Sequence, residues 1–315
     1  MRRFLLALLC GLALLPSAAM AAGPTVVTTV KPLQLIAAAV LDGIAVPEVL
    51  LPPAASPHNY ALRPSDRRLL ANADRIYWVG PDLERFLQRL LESQPSARRL
   101  DQVPGLMLRR FGEEDEHGHG HHDHHAHDHD HDHDHDDHDH APGTLDAHIW
   151  LSTDNARALA RWMAEDLAEL FPDHAATLLA NAEALDQRLE QLQQRLEQQL
   201  QPLAGRPYFV FHDAYGYLED SVGLRPRGVF SLSAEIQPGA QHVQRLRATL
   251  TDAGSSCIFR EPQFPTERIA ALTSGLSVRT AELDPLGIAV PVDANGYEAL
   301  LTQLGENLAA CLQDL

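Results

Sequence analysis

Positive charge is scarce in this chain: its 315 residues carry 25 Lys and Arg against 43 Asp and Glu, a formal charge of -18. Nucleic acid and anionic membrane surfaces both recruit basic patches, so this balance argues against either as a partner and suits a soluble protein that attracts cations. Cysteine is scarce too, at three residues, while 45% of the chain is hydrophobic, so the fold rests on a core and not on a framework of staples. The apolar run at residues 4–15 is too short to span a bilayer. There is no HExxH, G-x-S-x-G or Walker-type sequence, which removes the usual signatures of zinc proteases, serine hydrolases and P-loop enzymes.

The amino end carries an export signal. Arg2 and Arg3 precede the apolar run, and Pro16 and small residues then lead to Ala19-Met20-Ala21. A basic region, a short apolar region and an A-x-A site predict a signal peptide over residues 1–21, cleaved after Ala21, and a periplasmic mature chain. Cys10 lies inside the apolar region after Leu9, where a lipid-modified cysteine is not expected. The mature chain keeps Cys257 and Cys311. An even pair in an oxidising compartment is expected to form a disulfide; two buried small hydrophobes are the alternative.

Strand and helix patterns alternate on both sides of a long helical middle. Residues 25–30, 48–51 and 75–79 are expected strands, with helices at 33–41, 65–73 and 82–91. A second set has strands at 208–211, 229–231, 257–260 and 277–283, and helices at 214–222, 239–252, 266–274 and 297–312. That order predicts two α/β units, each with about four strands in a mostly parallel sheet. Between them, leucines at 178, 179, 185, 189, 192, 196 and 200 keep helical spacing after a break at Phe171-Pro172. The pattern fits an amphipathic helix or coiled coil, and its length suits one stiff connection between the units. The expected division is a first lobe over residues 22–172, a linking helix over 173–204 and a second lobe over 205–315.

Residues 113–141 differ in kind. Thirteen of them are histidine and twelve are Asp or Glu, with almost no apolar side chain, so a disordered loop inserted into the first lobe is expected. His117, His119, His121, His122, His124, His125, His127, His129, His131, His133, His135, His138 and His140 form a metal-binding composition. Each ion bound there has to order a floppy chain, so these sites are expected to be many, interchangeable and weaker than a preformed one.

Five histidines lie elsewhere: His58, His148, His174, His212 and His242. His58, His148 and His212 each stand at an expected turn leading into a helix, and ligands of open α/β sheets bind beyond the carboxyl ends of strands. Three neutral imidazoles converging there suit zinc, copper or nickel. His174 and His242 read as structural.

Four segments carry a family resemblance. Pro57-His58-Asn59-Tyr60-Ala61-Leu62-Arg63-Pro64-Ser65-Asp66, Asp146-Ala147-His148-Ile149-Trp150-Leu151-Ser152, Phe211-His212-Asp213-Ala214-Tyr215-Gly216-Tyr217 and Glu282-Leu283-Asp284-Pro285-Leu286-Gly287 resemble, in order, the metal motifs of the zinc- and manganese-specific solute-binding proteins of ABC importers. With the histidine-rich insertion and the cysteine pair, the chain resembles the zinc-uptake, ZnuA-type branch. The resemblance implies two pseudo-symmetric lobes joined by a long helix, a zinc site in the cleft between them and delivery to a membrane permease by a monomeric, non-enzymatic protein. It implies His58, His148 and His212 as ligands. In manganese members the third position is usually a carboxylate, and here it is His212. Some zinc members have Glu before the first histidine, where this chain has Pro57; Asp284 or water then takes the fourth position. A zinc-buffering or adhesive surface protein and a catalytic three-histidine zinc site are the competing readings.

Overall fold

The computed structural model describes residues 23–53, 55–112, 143–231, 240–262 and 273–315. The expected signal peptide, the histidine tract and most of the helix expected at 266–274 lie outside these residues. Among the described residues are two four-stranded parallel sheets with the same winding. The first has the order β2-β1-β3-β4, from β1 (Val26–Thr28), β2 (Glu48–Val49), β3 (Arg75–Trp78) and β4 (Ala97–Arg99). The second repeats it as β6-β5-β7-β8, from β5 (Tyr208–His212), β6 (Gly228–Ser231), β7 (Ser256–Arg260) and β8 (Val278–Glu282). Every pairing within them is parallel, so helices must cover the faces.

The covering helices follow their apolar patterns. α1 (Lys31–Val40) starts with Pro32 in its first turn and buries every residue from Pro32 to Val40, so it is a central helix with no solvent face. α2 (Pro64–Asn72) buries only Leu70 and lies on the surface. α4 (Thr153–Leu170) is opened by Ser152, whose side chain accepts from the Asn155 N–H. After the turn Pro172–His174, the 26-residue α5 (Ala175–Leu200) folds back along it. Burial of Leu178, Ala182, Leu185, Leu189, Leu192, Leu196 and Leu200 gives α5 a continuous apolar stripe about 33 Å long. It packs on α1 and α4 of the first half and on α6 (Gly216–Val222) and α8 (Gly296–Gln313) of the second. α7 (Ala240–Ala253) covers a separate core of Phe209, Phe211, Phe230, Leu246, Leu250 and Ile258. His242 Nε2 lies 3.1 Å from the Phe230 carbonyl, which ties α7 to β6 and fits its structural reading.

Two departures from expectation have physical causes. The helix expected at 82–91 is a turn, a 3-10 segment (Arg85–Leu87) and one α turn, α3 (Gln88–Leu91). Buried Glu84 accepts from Thr29 Oγ1 and, at 3.0 Å, from the Gly80 N–H, and its own backbone is not helical. β4 is not among the expected strands, because Ala97-Arg98-Arg99 reads as surface. Arg98 is instead drawn across the sheet to Asp166 of α4 at 2.9 Å, where Arg75 Nε and the Tyr77 hydroxyl also converge.

Burial raises the Glu84 carboxyl to about 7 and that of Glu219, which accepts from the Tyr208 hydroxyl at 2.9 Å, to about 8. At these two groups the folded state keeps protons that the unfolded chain has released, so their contribution to the stability of metal-free protein falls as pH rises from about 4.5 through about 8. Glu219→Gln should flatten that slope by on the order of 2 kcal/mol across the window. Denaturant titrations at pH 5 and pH 8 measure it, and an unchanged slope would count against burial as the cause.

Candidate metal site

Three imidazoles meet between the halves. His58 comes from the chain between β2 and α2, where its backbone N–H donates to Ser56 Oγ at 3.2 Å. His148 enters a 3-10 turn (Ile149–Leu151) ahead of α4, and His212 is the last residue of β5. Only His212 therefore sits directly at a strand end. His58 lies nine residues beyond β2, and the chain before His148 is a short antiparallel stem joined by the Arg110–Leu145 bridge. Ring centroids lie 5.5 Å apart for His58 and His148, 5.4 Å for His58 and His212, and 5.0 Å for His148 and His212. One ligand atom from each falls within 4.8 Å of the others. A tetrahedral zinc with bonds of about 2.05 Å needs nitrogens about 3.3 Å apart, so small rotations close the set.

Carboxylates behind two of the rings orient them. His148 Nδ1 is 2.8 Å from Asp146 Oδ1, and His212 Nδ1 is 3.2 Å from Glu261 Oε1. With those carboxylates ionised, each Nδ1 donates its proton outward and Nε2 offers its lone pair to an ion. Asp146 also accepts from the His148 N–H at 3.1 Å and from Arg109 Nη1 at 3.2 Å. Burial pushes the Asp146 carboxyl up to about 7, opposed by that N–H and by Arg109. Burial also holds the His148 imidazole well below its ordinary range, as do the charges of His212 and Arg109, which favours the neutral form a metal requires.

Asp284, expected beside the ion, does not join this group. Among the described residues the converging set is His58, His148 and His212 alone. Both Asp284 oxygens are engaged by its own loop: Oδ1 accepts from the Leu286 N–H at 3.0 Å and Oδ2 from the Ile288 N–H at 2.5 Å. That loop is pinned to the first half by Lys31 Nζ, donating to the Ile288 carbonyl at 2.7 Å, and by Trp150 Nε1, donating to the Pro285 carbonyl at 2.9 Å. Asp284→Asn keeps one acceptor, so it should cost about 1 kcal/mol of stability and change zinc affinity less than threefold. A loss of affinity as large as that from a histidine substitution, in the same titration, would return Asp284 to the ligand set.

Asp146, Glu261 and Arg109 were not singled out from the sequence. Asp146 stands in the quoted second motif, two residues before His148, and that spacing was the available signal. Glu261 follows β7, which pairs with β5, and only that pairing brings it to His212.

Comparison with known proteins agrees with this architecture. A family model described as zinc-uptake complex component A, periplasmic (ZnuA) matches residues 26–311. The chain is 41% identical over 312 residues to the high-affinity zinc uptake system protein ZnuA of Yersinia pestis, covering 96% of this chain and 97% of that protein. To its counterpart in Haemophilus ducreyi it is 40% identical over 294 residues, covering 92% and 94%. In fold it is similar to the periplasmic zinc binding protein TroA from Treponema pallidum, with a TM-score of 0.71 and 22% identity over 92% of this chain and 99% of that one. On these matches, the chain belongs to the ZnuA family.

Proposed function

We propose that the chain is the zinc-capturing component of an ABC importer, taking up Zn2+ in the periplasm and handing it to a membrane permease. The observation that carries this reading is the convergence of three imidazoles from both halves of the molecule, with ring centroids 5.0 to 5.5 Å apart. Neutral imidazole suits zinc, and three nitrogen donors leave a fourth position, which this reading gives to water. Zinc is the cargo here, so a site that grips it without enclosing it completely fits both capture and release. Relatives named for high-affinity zinc uptake, at 40% and 41% identity, support the same assignment.

In this reading residues 1–21 direct export and the mature chain works as a monomer. Residues 22–172 and 205–315 are the lobes that residues 173–204 join. The histidine tract is an auxiliary collector, raising local zinc beside the cleft through many weaker sites. The experiment is a calorimetric zinc titration of full-length protein and of protein lacking residues 113–141, together with growth rescue of a cell lacking the protein under zinc chelation. Deletion should reduce the total to about one ion per chain and leave the tight phase nearly unchanged, and the full chain should restore growth. Loss of the tight phase would make the tract the principal site, and failure to rescue growth would sink the uptake reading.

A further inference from the structure

We propose that Arg109 is a positioning residue that latches the two lobes across the back of the metal site and sets how slowly the ion leaves. This rests on the zinc-capture reading above. The backbone of Arg109 belongs to the first lobe. It lies in the antiparallel stem, where the Asp146 N–H donates to the Arg109 carbonyl at 2.9 Å and the Phe111 N–H to that of Thr144 at 3.0 Å. Asn155 in the first turn of α4 clamps the stem further back, accepting from the Met107 N–H at 2.8 Å and donating to its carbonyl at 3.0 Å.

The side chain crosses to the second lobe. Arg109 Nε pairs with Asp220 Oδ2 on α6 at 2.9 Å, while Nη1 stays with Asp146 Oδ2 at 3.2 Å. Beside it the Tyr217 hydroxyl, also on α6, accepts from the Arg109 N–H and donates to the Asp146 carbonyl, both at 2.9 Å. Gly216 opens α6 against the guanidinium, where a Cβ would overlap it. One guanidinium thus joins the carboxylate that orients His148 to the helix that begins four residues after His212.

Charge makes the contact directional. Asp146, Asp220 and Asp213, the residue after His212, all act on Arg109. Without the cation, Asp146 of the first lobe and Asp213 and Asp220 of the second would repel one another across the seam, leaving the Tyr217 bonds to hold it here while Arg225 still pairs with Asp220. A latch and a simple charge effect then predict opposite results. A cation near Zn2+ repels it, so deleting that cation for charge reasons alone would strengthen binding. Deleting a latch would loosen His148 and the seam and release the ion faster. Losing an outer partner of a metal ligand typically costs 10- to 100-fold.

The test is zinc dissociation into excess chelator, followed by stopped flow on tract-deleted protein at fixed pH and salt, after metal-free melting has shown each variant folded. Arg109→Gln should release zinc at least tenfold faster, Arg109→Lys should recover part of the loss, and Asp220→Asn should accelerate release several-fold. The double variant Arg109→Gln/Asp220→Asn should be no faster than Arg109→Gln alone, because the Arg109–Asp220 pair is the one cross-lobe contact both changes remove; the Asp220 pair with Arg225 lies within the second lobe. Unchanged or slower release from Arg109→Gln, or additive effects in the double variant, overturns the latch. If Arg109→Gln does not fold, Asp220→Asn at the exposed end of the pair decides, and a wild-type rate there overturns it. Wild-type protein with no tight zinc would instead defeat the capture reading itself.

Discussion

Alanine in place of His148 should lower zinc affinity by about a hundred- to a thousandfold while the metal-free protein still folds. Zinc bound by four protein ligands is held by roughly 10–16 kcal/mol, so one donor is worth about 3–4 kcal/mol, and 1.4 kcal/mol is a factor of ten. The ring packs edge-on against Trp150 with centroids 5.4 Å apart, and its loss leaves a small space in a region secured by other bonds. Tyr297 still donates to the Trp150 carbonyl and Trp150 Nε1 to that of Pro285. His58→Ala and His212→Ala should fall in the same range, because no member of the set has a substitute among the described residues. Asp146→Asn, which alters what holds His148 Nδ1, should cost less, about 10- to 100-fold. Competition against a chelator of known affinity, on protein lacking residues 113–141, measures these values. Wild-type affinity in all three alanine variants would mean that the ion binds elsewhere.

The second large effect concerns stability. Cys257 in β7 is joined to Cys311 in α8 by a disulfide closing a separation of 54 residues. In the chain-entropy picture such a closure contributes about 4 kcal/mol by restricting the unfolded chain. Both sites are buried, so alanine is a better replacement than serine, which would bring a hydroxyl into the core. The double variant Cys257→Ala/Cys311→Ala should therefore melt roughly 10 °C lower, at about 2–4 °C per kcal/mol. Its zinc affinity should stay within a few-fold of wild type, because parallel pairing to β6 and β7 still holds β5 and His212. Calorimetric melts of variant and wild type, with and without reductant, provide the comparison. A midpoint that responds to neither change would show that the bridge constrains little.

Much of this was legible because the chemistry is local. The β-branched and aromatic runs that become β1, β3, β5 and β7 are buried along almost their whole length, as parallel strands between helices must be. The leucine stripe of α5 needed only helical spacing, and the three ligand histidines stood in short recognisable segments. What was not legible depends on contacts between distant parts of the chain. Ala97-Arg98-Arg99 becomes a strand because Asp166 of α4 receives Arg98. Residues 82–91 lose their helix because Glu84 turns inward to Thr29. Asp284 follows the last strand, where a ligand is expected, and the bonds its two oxygens accept from N–H groups two and four residues further on are not announced by that position. Arg109 gave no local sign, since its partners lie 37 and 111 residues away.

The last helix belongs to both halves of the molecule, and this bears on the order in which the chain can assemble. α8 packs against α1 as well as α5, β7 and β8; a Cβ on Gly296, its first residue, would stand 2.8 Å from Leu35 Cδ2 of α1. Arg188 of α5 holds the same end through Glu298 at 2.6 Å and the Ala294 carbonyl at 3.0 Å. The amino-terminal core therefore stays open on one side until the final residues of the chain arrive. Native closure waits for contacts spanning nearly the whole sequence, which makes it slow and late. For the export proposed above, a nascent chain that cannot finish its first half early would stay threadable through a secretion channel. Cys311 rides on α8 and Cys257 on β7, so the docking that closes the first half is also what brings the two thiols of the bridge together.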